Sequence, residues 1–188
     1  MVDCKFIKNV FQNFCSVSLK ENVAGLYISV IASNGNDTAE ATLIECHDEI
    51  AYIKKNDSGN AQKIIVMNLK KEHTQEIGCE EDEILLPLGF IGTDFIYGVS
   101  KAADAGSTIS GEAVAPMYKI EVQNEKGETE LTYERSGKYI IDSTIEDNMI
   151  TVSLAKKKKG FVYTETEKDY ITNNVGTDEG KIYLESYA

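Results

Sequence analysis

Tryptophan is absent from this 188-residue chain, and it has only two prolines, two histidines and four cysteines. So few histidines leave little material for a metal centre or a nucleophile–base pair. His47 and His73 both fall at predicted turns. Cys46 and His47 are adjacent, so on a strand their side chains point to opposite faces and cannot act as a dyad. Cys4, Cys15, Cys46 and Cys79 match no zinc or C-x-x-C spacing, and they read as small core residues or free thiols. No run of 18 apolar residues occurs, and the N-terminus has no signal-peptide pattern. The expectation is therefore a chain without direct membrane insertion, in a compartment these features leave open.

Positive charge is scarce too. Nineteen Lys and Arg against 31 Asp and Glu give a net charge of -12, which would repel a phosphate backbone and argues against nucleic acid as a partner. The one basic run, Lys156 to Lys159 ahead of Gly160, reads as a solvated hairpin tip. Ser107, Ser110 and Ser143 lie in no Gly-x-Ser-x-Gly elbow, and no P-loop, dinucleotide fingerprint or His-Glu-x-x-His pattern exists. The acidic stretches Asn56–Asn60 and Glu80–Glu83 carry the oxygen ligands calcium takes, but neither has the EF-hand spacing, so both read as solvated turns. No catalytic residue, metal or cofactor is assigned.

What the chain does have is β-forming sequence. Apolar residues make up 42% and charged residues 27%, the balance of a folded protein, and ten tyrosines lean toward strands. Leu26–Ile31 and Glu40–Cys46 flank an Asn34-Gly35 hairpin signal. Further strands are expected at Ile50–Lys54, Lys63–Leu69, Ile84–Phe90, Phe95–Val99, Tyr118–Val122, Glu130–Tyr133, Tyr139–Ile141, Met149–Leu154, Phe161–Thr166 and Asp169–Thr172. Residues 1–20 differ: Phe6, Ile7, Val10, Phe11 and Phe14 share one helical face, while Cys15–Leu19 alternates like a strand. A short N-terminal helix or irregular lead-in is expected there, ahead of a repeat domain over 21–188.

One phrase recurs at Glu49-Ile50-Ala51-Tyr52-Ile53, Asp94-Phe95-Ile96-Tyr97-Gly98 and Asn148-Met149-Ile150-Thr151-Val152, at intervals of roughly 45 to 55 residues. Around the first, His47-Asp48-Glu49-Ile50-Ala51-Tyr52-Ile53, then Gly59, then Lys63-Ile64-Ile65-Val66-Met67-Asn68-Leu69, the wording resembles the TolB-like, or WD40-like, β-propeller repeat. The resemblance implies an all-β fold of antiparallel sheets arranged as propeller-like blades, about three to four units, short of the ring a propeller usually closes. Lys181–Leu184 reads as the first strand of a further unit. An incomplete ring leaves open sheet edges, which favour self-association. The resemblance further implies a non-catalytic interaction module of the bacterial cell envelope, with a protein or cell-surface polymer as partner. It carries no catalytic residues across.

Tyr52 and Tyr97, at matching repeat positions, are expected to pack between sheets. The longest stretch without pattern is Ala102–Pro116, small and polar. Loops on a rigid β scaffold are where binding concentrates, so Asp104, Ser107, Thr108, Ser110 and Glu112 are the candidate binding residues. The alternative is a carbohydrate-active hydrolase or lyase using Asp48, Asp94 and Asp147, each at the head of a repeat, with carboxyls about 5–9.5 Å apart.

Overall fold

The computed structural model describes residues 16–22, 25–34, 37–46, 49–55, 61–68, 71, 73–146 and 148–172. The chain divides into two compact units, Met1–Gly78 and Cys79–Ala188, and the described residues are all-β, with no α-helix. The helical face at Phe6–Phe14, the loop Asn56–Asn60 and the strand expected at Lys181–Leu184 lie outside the described residues.

The first unit is one antiparallel meander. Its strands are β1 (Ser16–Asn22), β2 (Gly25–Asn34), β3 (Asp37–Cys46), β4 (Glu49–Lys55), β5 (Ala61–Asn68) and β6 (His73–Gly78), and they pair in chain order. Short connections enforce this: Asn34 pairs with Asp37 and Cys46 with Glu49, so each strand must fold back on its predecessor. Ile50 and Ala51 on β4, and Ile64, Ile65 and Val66 on β5, are buried on consecutive positions, so both faces of these strands lose water. Two expectations need correction. Residues 16–20 form strand β1 rather than helix, as the alternation of Cys15–Leu19 allowed. His73 opens β6 instead of sitting in a turn; β6 ends the sheet and buries only Ile77, so its polar sequence hid it.

The second unit is built differently. Its strands are β7 (Glu83–Ile91), β8 (Asp94–Lys101), β9 (Gly106–Thr108), β10 (Ala113–Val114), β11 (Met117–Gln123), β12 (Thr129–Glu134), β13 (Tyr139–Glu146), β14 (Met149–Lys158) and β15 (Val162–Thr172). They run in the order β10-β9-β15-β14-β13-β11-β8-β7, with β12 also on β11. Among the described residues neither sheet closes into a barrel.

A corner at β11 folds the second sheet back on itself. One edge of β11 carries β8; the other carries β12 over most of its length but β13 at a single pair, Met117 and Ile140. Register shifts flank that junction at Met117/Lys119 and Ile140/Asp142, the local bends by which strands change layer. Two layers result, and a shared core fills the space between them. Ile96, Met117, Ile120, Val122, Leu131 and Tyr133 from β8, β11 and β12 pack with Ile140, Ile150, Val152, Leu154 and Ile171 from β13 to β15. The layers are also tied by polar groups: the Tyr133 hydroxyl donates to Asp169 at 2.8 Å, and Arg135 pairs with the same carboxylate.

The lysine run behaves as its sequence suggests. Lys156, Lys157 and Lys158 end β14, exposed, and the chain reverses through Gly160 (φ 78°) and Phe161 (φ 58°) into β15. Two successive positive φ values suit a tight hairpin that follows strand twist.

Candidate functional site

The stretch expected to be a patternless loop is in fact tied down throughout. After β8 the chain makes one 3₁₀ turn at Ala102–Asp104, started by the Ala102 amide donating to the Asp82 carbonyl at 2.8 Å. Asp104 is held twice. Lys157 Nζ reaches its carboxylate at 2.6 Å, and the Tyr163 hydroxyl donates to its carbonyl at 2.6 Å. Gly106 then lets β9 run parallel to the start of β15, where a Cβ would lie 2.0 Å from the Phe161 carbonyl oxygen. The Ser107 amide donates to that same oxygen at 3.0 Å.

A compact turn follows. The Gly111 amide donates to the Thr108 carbonyl at 3.0 Å and the Thr108 amide to the Glu112 carbonyl at 2.8 Å, with Gly111 at φ 86°. Thr108 Oγ1 shares a 2.7 Å hydrogen bond with Ser110 Oγ and accepts one from the Glu112 amide at 3.2 Å. At the far end the buried Ser100 hydroxyl donates to the Pro116 carbonyl at 2.7 Å. Local side chain–backbone bonds of this kind replace the ladder that sequence periodicity detects.

This braced segment forms one wall of a cleft of about 990 Å³. Leu86, Pro87 and Leu88 of β7 form a second wall. Ile141, Asp142 and Ser143 of β13, Ser153 of β14 and Tyr163, Thr164 and Glu165 of β15 complete it. Its lining mixes apolar side chains with hydroxyls, and its charged members are Glu112, Asp142 and Glu165, all exposed and all acidic. Thr164 Oγ1 is buried with no hydrogen-bond partner. Ile109, at the turn, is 68% exposed.

Of the residues singled out from sequence, Thr108, Ser110 and Glu112 line the cleft. Asp104 and Ser107 do not; one is bound to Lys157 and Tyr163, the other is taken up in pairing with Val162. Sequence reasoning missed the contributions of β13, β14 and β15. Their only signal is polar residues, Asp142, Ser143 and Ser153, interrupting otherwise apolar strands.

Elsewhere in this unit, carboxylates serve as ties. Burial pushes the Glu83 carboxyl upward, but the Tyr118 hydroxyl (2.6 Å), the Glu80 amide and Lys101 (3.0 Å) outweigh it and bring it down to about 2. Tyr118 in turn lies between the ammonium groups of Lys101 and Lys119, each 5.8 Å from its ring centre. Tyr97 is buried and donates to Glu121; burial and that carboxylate raise its hydroxyl well above the usual tyrosine range. Tyr133, buried and donating to Asp169, is pushed up to about 12. Burial raises the Asp169 carboxyl, and Arg135, Tyr133 and the Tyr170 amide more than reverse this, leaving it lowered.

The cleft brings together the hydroxyls of Thr108, Ser110, Ser143 and Ser153 and the carboxylates of Glu112, Asp142 and Glu165. Both histidines of the chain, His47 and His73, belong to the first unit, whereas every cleft residue belongs to the second. Asp94 starts β8 and borders a separate pocket of only about 20 Å³; Asp48 and Asp147 lie outside the described residues. Among the described residues no group of three or more His, Cys, Asp or Glu side chains is arranged to hold a metal, and no helix is long and apolar enough to cross a membrane. No family model matches this chain, and no curated protein matches it either.

Proposed function

We propose that this chain is a non-catalytic binding module whose second unit takes a segment of another protein, or of a cell-surface polymer, into the cleft beside β10. The observation that carries this reading is the braced wall. Residues 102–116 spend backbone and side-chain hydrogen bonds on holding a turn over a concave, mixed-polarity surface rather than on joining a core. A pocket at the upper end of the roughly 300–1,000 Å³ range, with a few convergent polar groups, is the usual form of a recognition site.

The propeller lineage implied by the 47–70 wording belongs to this proposal. Its support is the first unit's antiparallel pairing in chain order, in a sheet of six strands where a blade has four. Open edges, such as β12 and β10, support self-association as a further part of it. The test is a binding screen of the full chain against peptide and glycan arrays, with cleft amides followed by NMR. Saturable binding that shifts Thr108–Ala115 is expected. Reproducible turnover of a glycoside, lost on substituting a cleft carboxylate, would overturn the reading in favour of a carbohydrate-active enzyme.

A further inference from the structure

We infer that the occupant of the cleft is an extended peptide carrying lysine or arginine, which adds as a strand along the outer edge of β10. The inference rests on the cleft being the binding site and goes beyond it by naming the ligand chemistry.

Charge is the first argument. Asp82, Glu83, Asp104, Glu121, Glu167 and Asp169 each have a lysine or arginine within 4.0 Å. Among the described residues Glu112, Asp142 and Glu165 have no such ion pair, as is true of Glu80, Glu81, Glu128, Glu130, Glu134 and Glu146 as well. Glu112, Asp142 and Glu165, however, line one cleft, and no basic side chain is among its described lining residues. Three uncompensated carboxylates around one concavity favour a cation and disfavour an anionic polymer.

The sheet edge is the second argument. Among the described residues β10 ends the strand path of the second unit and pairs only with β9, so the outward main-chain groups of this two-residue strand have no strand partner there. Ala113, Val114 and Ala115 all line the cleft, and two of them are alanines, whose small side chains let another backbone approach. The strand on the opposite wall, β7, also ends the path, but Pro87 lacks an N–H and a register shift between Pro87 and Gly89 breaks its edge. Of the two edge strands that line the cleft, β10 is therefore the better one for strand addition, and its residues line the same cleft as the three carboxylates. Main-chain bonds from β10 would supply affinity, while alternate side chains of the peptide reach Ile109 and Val114 on one side and the carboxylates on the other.

The probes are acetyl-Val-Lys-Val-Lys-Val-Lys-amide, the same peptide with Glu for Lys, its alternately N-methylated form, and a neutral oligosaccharide, each titrated into the full ¹⁵N-labelled chain. The lysine peptide should shift the Ala113 and Val114 amides and slow their exchange, while N-methylation weakens it about tenfold or more. Asp142→Asn and Glu165→Gln should each weaken it about two- to fivefold, with an unchanged melting temperature, since both side chains are exposed and outside the core. Raising salt should weaken it further.

If the oligosaccharide or the glutamate peptide shifts the cleft amides and the lysine peptide does not, the inference falls while the binding-module reading stands. Equal binding of the N-methylated peptide overturns strand addition. If no probe moves any cleft amide, both readings fall together.

Discussion

The two units of this chain are made from similar strands, yet they spend them differently. In the first, the strands pair with their neighbours in chain order, from β1 to β6. In the second, β8 skips two short strands to pair with β11, β9 crosses to lie parallel to β15, and β11 splits one edge between β12 and β13. The meander pairs its strands in chain order and leaves β1 and β6 at its ends. The folded-back sheet creates an interior, filled by Ile120 and its neighbours, and a cleft at its rim. Local pairing yields a sheet; non-local pairing yields a cleft.

The sharpest way to break this comparison is in the second unit's core. Ile120 is fully buried between the layers, and Ile120→Ala should cost about 2–5 kcal/mol in urea or thermal unfolding. A loss under about 1 kcal/mol would mean the layers are not held by this cluster. Gly106→Ala comes next, at about 1–3 kcal/mol, because the added methyl meets the Phe161 carbonyl and the Tyr163 ring. Its specific signature is faster hydrogen exchange at Ser107 and Thr108; unchanged exchange there would show that β9 does not depend on that close approach.

Acid sharpens the contrast at a smaller scale. Glu83 is held ionised to about pH 2 in the folded chain, against about 4.3 when unfolded. A carboxyl lowered on folding stabilises the protein above its unfolded value. That contribution is lost as pH falls from about 4.3 toward 2. Glu83→Gln should therefore remove roughly 1–2 kcal/mol at pH 7 and flatten the acid limb of the stability profile. An acid limb identical to that of the parent chain would contradict this role. The smallest effect belongs to the first unit: Lys63 and Glu76 pair at 2.8 Å but are about half exposed, so Lys63→Met should change stability by under about 1 kcal/mol and less in high salt.

Legibility followed the same division. The Asn34-Gly35 signal correctly joined β2 to β3, and each of the three recurring phrases falls on a strand, β4, β8 and β14. The phrase could not name its partner. β4 and β14 pair with the strand that follows them, while β8 pairs with β11 beyond an intervening 3₁₀ turn and two short strands. The site was half legible for a related reason. Thr108, Ser110 and Glu112, which line the cleft, could be singled out because they sit together in the chain, in a segment too polar for core. Asp142, Ser153 and Glu165 were not, because they meet that segment only after the sheet has turned its corner at Met117 and Ile140. The bracing of the segment was also hidden, since bonds such as Thr108 to Ser110 and Tyr163 to Asp104 have no periodicity.

By itself, then, the order of residues determined a strand-rich chain, where its ribbons begin and reverse, an acidic surface and an exposed lysine tip. These follow from side-chain preference, from turn chemistry and from charge, each acting over a few positions. Tertiary structure alone decided that one unit stays a meander while the other folds over, and that Glu112, Asp142 and Glu165, from separate parts of the chain, share a cleft. Those outcomes depend on which buried faces meet and which backbone groups find partners far along the chain, and no local pattern encodes that pairing.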